Sequence, residues 1–174
     1  MQGTVSAGNA TGARGCKGVI SWITTNTSSG TAAGTAGNRP LTLALLDAQL
    51  QAAYDQGGEP NVMYVGSGLA ATFAGLATAA TDRRRVTTDA ERLTNRTRFY
   101  DNPQGLDVQI LIHRHMPTTT VVALDEQYWE VGIFDAPFHE MLAKAGDNVR
   151  GQVVTEYTLI SAQQKASAKV EQVV

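Results

Sequence analysis

The side chains of this sequence that could do chemistry fall into a few small groups, each short of a partner. The run Gly66-Ser67-Gly68-Leu69-Ala70-Ala71 fits G-x-G-x-x-A between an apolar strand-like stretch and a helix-favouring one. In a dinucleotide-binding fold such glycines let a pyrophosphate approach the positive end of a helix. An acidic residue closing a second strand should follow about twenty residues on. Here Asp82 and Asp89 lie in a polar, arginine-rich stretch with no apolar strand before either. The glycines are therefore read as a tight packing turn, and a small nucleotide-binding enzyme using Gly66, Gly68 and Ala71 is the alternative.

His113, His115, His139 and Glu140 form the other conceivable cluster. Alternation along a strand puts His113 and His115 on one face, as a zinc site could use, but no cysteine and no third ligand is tied to them by spacing. Cys16 has the basic Arg14 and Lys17 nearby, yet no motif brings it a histidine. No serine sits in a G-x-S-x-G elbow. Catalytic, cofactor-binding and metal-ligating residues are accordingly assigned to none of these. Arg83, Arg84 and Arg85 are read as a solvated loop and, second, as a subunit contact that pairs with carboxylates of a neighbour.

The elements that would position these groups follow from periodicity. Leu43, Leu46, Leu50, Ala53 and Tyr54 recur at helical spacing behind Thr42 as N-cap, and Gly57 and Gly58 stop the helix. Residues 62–65 (VMYV) read as a buried strand, and residues 67–80 as an Ala-rich helix. Residues 81–97 carry five arginines and read as an exposed loop, the most mobile internal segment. Short strands are expected at 98–102, 108–112, 121–124 and 131–134. Residues 152–161 (QVVTEYTLIS) have apolar side chains on both faces, as in a long strand covered on each side. Leu46, Leu50, Val62, Tyr64, Phe73, Ile110, Trp129 and Leu159 are expected to be buried together. Helices first and strands after favour α+β.

Composition narrows the function classes. A formal net charge of -2 over 174 residues gives no electrostatic footprint for DNA, which is bound through many Lys and Arg contacts to phosphate. No apolar run is long enough to cross a bilayer, and a lone cysteine excludes an internal disulfide, so assembly in a reducing host cytoplasm is expected. Residues 1–40 are rich in Gly, Ser, Thr and Ala, with residues 18–24 (GVISWIT) as their apolar cluster. They read as a flexible linker or an extended arm that gains order by lying on a partner, anchored by Trp22 and Ile23.

Six strings, in order, resemble the major capsid protein of tailed bacteriophages. They are residues 18–23 (GVISWI), 41–58 (LTLALLDAQLQAAYDQGG), 61–66 (NVMYVG), 124–131 (LDEQYWEV), 137–146 (PFHEMLAKAG) and 152–159 (QVVTEYTL). The resemblance implies the tailed-phage capsid fold. Residues 1–40 would begin the peripheral domain, 41–146 form the axial domain, and 147–174 return as a peripheral strand. It implies a structural, non-enzymatic subunit of an icosahedral shell that assembles with copies of itself into pentamers and hexamers. Such a subunit meets packaged DNA only indirectly, has no membrane partner and ends in the virion. The family's amino-terminal arm, long hairpin and spine helix would precede residue 18, so the chain is expected to be a carboxyl-terminal portion or a reduced relative.

Overall fold

The computed structural model describes residues 15–30, 39–79, 99–143 and 146–174. Thr42 opens helix α2 (Leu43–Asp55): the Leu45 N–H donates to its Oγ1 at 3.3 Å. Gly57 ends it in the left-handed region (φ 81°), where its N–H reaches Tyr54 O at 2.8 Å and the Gly58 N–H reaches Ala53 O at 3.0 Å. Those two bonds satisfy carbonyls that the helix end would otherwise orphan. Leu46, Leu50 and Ala53, spaced at four and three, form its buried stripe.

The described strands of the main sheet are β1 (Thr27–Ser29), β2 (Val62–Val65), β3 (Phe99–Asp101), β4 (Asp107–Ile112), β5 (Val121–Leu124) and β8 (Ala168–Glu171). Their order is β1-β8-β5-β2-β4-β3, with β1/β8 and β2/β4 parallel and the other pairs antiparallel. A 3-10 turn (Ser67–Leu69) runs from β2 into α3 (Ala70–Ala79). The sheet thus joins the first and last segments of the chain to its middle. Two further strands, β6 (Trp129–Met141) and β7 (Gly151–Ser161), pair only with each other.

The expected single core is divided by the sheet. Met63 and Val65 pack with Leu46, Leu50, Phe73 and Ile110 on the α2/α3 side. Tyr64 and Trp129 pack with Val122, Leu124, Met116 and the short helix α1 (Val19–Trp22) on the other. The division follows from the period of two along a strand, which sends neighbours to opposite faces. Val62 is buried but belongs to neither cluster, and Leu159 lies on the β6/β7 ribbon. The arm's apolar cluster is helical rather than extended: Ile20 and Ile23 are buried in the second core, and Trp22 is half-buried with Lys17 Nζ 4.4 Å above its ring.

Two strand expectations need correction. The strand expected at residues 131–134 is the middle of a 13-residue β6, because Asp135 and Pro137 fall where the register shifts and so do not end it. Residues 152–161 do form a strand, but its apolar side chains are not covered: Val153 is 70% exposed and Tyr157 61%.

Candidate assembly interface

The β6/β7 ribbon is rooted firmly and then left bare. At its root the Trp129 indole N–H donates to Ser167 Oγ at 3.0 Å, and the Ala162 N–H to Tyr128 O at 2.9 Å. Buried Asp125, just before the ribbon, accepts from the Glu59 N–H at 2.9 Å and from Gln127 Nε2 at 3.0 Å. These bonds hold the exit direction of the strand by charge-assisted contacts.

Beyond the root, opposed residues share a face. Val131 faces Leu159, Ile133 faces Tyr157, and His139 faces Val153, giving an apolar face that ends at Met141. The other face carries Glu130, Asp135, Glu140 and Glu156 among Ile160, Phe138 and Val154. Phe134, at the first register shift, is 83% exposed. Ten of the fourteen large apolar side chains exposed among the described residues belong to this hairpin. Each forgoes part of the about 1.5–3 kcal/mol that full burial is worth. A two-stranded hairpin is by itself marginally stable in water. So much apolar surface on so small an element marks a contact surface.

The glycines singled out for chemistry serve packing instead. A Cβ added at Gly66 would lie 2.0 Å from Pro117 O, and one at Gly68 would lie 2.9 Å from Thr118 O. The chain's own loop occupies the close approach that a pyrophosphate would need. Strand β4 ends at Ile112, so His113 and His115 sit in a turn rather than on one strand face. The His115 N–H donates to His113 Nδ1 at 3.2 Å, and the His113 ring meets Tyr64 edge-on at 6.2 Å. His139 is on the ribbon, its ring lying where a Cβ at Gly151 would be, and Glu140 accepts from Gln152 Nε2 at 2.8 Å. Among the described residues no group of three His, Cys, Asp or Glu is placed to hold a metal. Cys16 is exposed and free. Arg83, Arg84, Arg85 and the rest of the expected 81–97 loop lie outside the described residues.

Two tyrosines are titration-shifted, both by burial first. Tyr64 is raised further by Glu126, to which its hydroxyl donates at 3.2 Å, and Tyr100 by its 2.6 Å bond to Asp47. Both stay protonated at neutral pH and tie elements together. The ribbon was missed because alternation shows that a face is apolar without showing what covers it. The signal available was the density of Val, Ile, Phe and Tyr on both sides of residues 142–150.

The family model described as SU10 major capsid protein matches residues 1–174. This chain belongs to that family. The recognition of a tailed-phage major capsid protein, made on six strings, is thereby correct. A cyanophage A-1(L) capsid structure aligns with TM-score 0.50 at 11% identity, over 84% of this chain and 50% of that one. It shows the shared capsid fold, and the α+β class stands with it. A Mycobacterium phage Ogopogo structure aligns with TM-score 0.47 at 16% identity over 98% of this chain and 59% of that one. A virus-like particle from Pyrococcus furiosus aligns with TM-score 0.44 at 14% identity over 88% and 57%. The chain thus spans between 50% and 59% of the length of these solved chains. No curated protein matches it in sequence. No helix among the described residues is long and apolar enough to cross a membrane.

Proposed function

We propose that this chain is a non-catalytic building block of a phage shell, assembling with copies of itself, and that the β6/β7 ribbon is a principal contact. The observation that carries the reading is the exposed ribbon in a member of a capsid family. Closed shells need several distinct contacts per subunit, repeated by rotation into rings. In the shell, residues 41–146 meet their copies around the five-fold and six-fold positions, and the strand from Gln152 returns toward the periphery. Assembly takes place in the host cytoplasm and ends in the virion. Packaged DNA is met only indirectly, in keeping with a net charge of -2.

Sedimentation velocity and electron microscopy over a concentration series test this. Oligomers or shells that grow with concentration, and shrink when Ile133→Asp is introduced, support it. A chain that remains monomeric at every concentration counts against it. A parallel thermal-shift assay with NAD and ATP should show no stabilisation, since a ligand binding only the folded form must raise stability.

A further inference from the structure

Strand β7 ends at Ser161 and β8 begins at Ala168, so residues 162–167 carry the chain from the ribbon back into the main sheet. Polar bonds grip this connector on three sides. On the ribbon side, the Ala162 N–H donates to Tyr128 O at 2.9 Å and the Trp129 indole N–H to Ser167 Oγ at 3.0 Å. From α2's side, Gln56 O accepts from Gln163 Nε2 at 2.8 Å. The third grip comes from residues 24–26. Gln164 Oε1 accepts from the Thr24 N–H at 3.0 Å, and Gln164 Nε2 donates to Thr25 Oγ1 at 2.6 Å. Asn26 Nδ2 donates to Lys165 O at 2.6 Å and to Ser167 O at 3.2 Å.

Two of these residues are shut off from water that could replace a lost bond: Asn26 is 7% exposed and Ser167 0%. A buried donor left unpaired costs its full desolvation, so the groups around them favour this one arrangement. Ser167 stands at the centre, because its carbonyl holds Asn26 while its hydroxyl holds Trp129. Trp129 opens β6 and pairs with Ser161, the last residue of β7. Asn26 leads into β1, whose three residues pair with β8. The first rung of the ribbon is thereby tied through one buried residue to the start of β1. Trp129 also packs against the core that holds Ile20 and Ile23, but apolar contact is non-directional and does not by itself fix an exit angle.

We infer that residues 162–167 are a joint with Ser167 as its positioning residue, through which the placement of residues 24–26 sets the direction in which the ribbon leaves the body. This goes beyond the capsid reading and depends on no occupant of the ribbon's faces, since every bond in it lies within one chain. A shift of residues 24–26 is passed to a strand pair whose own ladder stays unaltered. Bending farther out is a separate freedom, located at the two register shifts beyond the Ile133/Tyr157 rung.

The full chain tests this in a Cys16→Ser background, with nitroxide labels on Ala48→Cys, exposed on α2, and on Tyr157→Cys, on the last rung before the first shift. Electron-spin distance measurements on the dilute protein read the spread of the ribbon's direction. Asn26→Ala and Ser167→Ala should each broaden the distance distribution at least twofold. Combined, they should broaden it no more than either does alone, because they cut one path in series. Val108→Ala, in the other core, should leave the parent's width. If circular dichroism shows that Asn26→Ala does not fold, Gln164→Ala, whose lost bonds are solvent-exposed, replaces it with the same expected broadening. Parent width in the folded variant of residue 26 or 164, additive broadening in the double variant, or equal broadening by Val108→Ala overturns the joint. None of these outcomes bears on whether the chain assembles, so the capsid reading stands or falls separately.

Discussion

Strands β5 and β7 are both rich in apolar residues, yet they meet opposite environments. All four residues of β5 are buried, because α2 and α3 cover one face and α1 with Met116 covers the other. Most of β7 is exposed, with only β6 beside it. The body finishes its core within the chain, while the ribbon keeps apolar faces that something outside it must cover. Stability and assembly should therefore be separable: substitutions in the body change folding, and substitutions on the ribbon change association.

The largest expected effect tests the body. Leu50→Ala, at the centre of the α2/α3 core, should destabilise by about 2 to 5 kcal/mol in urea unfolding. An unchanged midpoint would break the comparison at its first term. Asp125→Ala should follow at about 1 to 3 kcal/mol, since it strands the Glu59 N–H that the buried carboxylate accepts. Gly66→Ala should cost a similar about 1 to 3 kcal/mol by forcing the Pro117 carbonyl aside. A stable Gly66→Ala variant would reopen the glycine turn as a ligand site.

Tyr100→Phe should cost about 1 kcal/mol by removing the hydrogen bond to Asp47. Its pH dependence has a fixed sign. The folded-state pKa is raised, chiefly by burial, so the contribution is full below pH about 10 and falls as pH rises further, because the unfolded chain releases its proton first. Melting curves of the parent should therefore drop more steeply above that pH than those of Tyr100→Phe. The smallest effect should come from the ribbon: Val153→Ser ought to leave the unfolding midpoint within about 0.5 kcal/mol of the parent while weakening association. Large destabilisation there would show that the ribbon is part of the folding unit.

Local rules made much of the fold legible. The Thr42 cap, the Leu46/Leu50/Ala53 stripe and the Gly57 stop fixed α2, and VMYV fixed β2, because caps, periodicity and left-handed glycine act within a few residues. The glycine turn was rightly read as packing from its missing second strand, although what it packs against, Pro117 and Thr118, lies some fifty residues away in sequence. The histidine pair was misplaced because the end of β4 depends on where β2 stops offering partners: the His113 N–H takes the last of them, Val65 O.

By itself the sequence determined helices α2 and α3, the existence of strands β2 to β7 and, through six ordered strings, the capsid family. Tertiary structure alone decided that the core has two sides and that β8 inserts between β1 and β5. It also decided that β6 leaves the sheet to pair with β7. The physical reason is that an alternating strand reports which of its faces are apolar, whereas the partner that covers each face is chosen by contacts distant in the chain, or by another molecule.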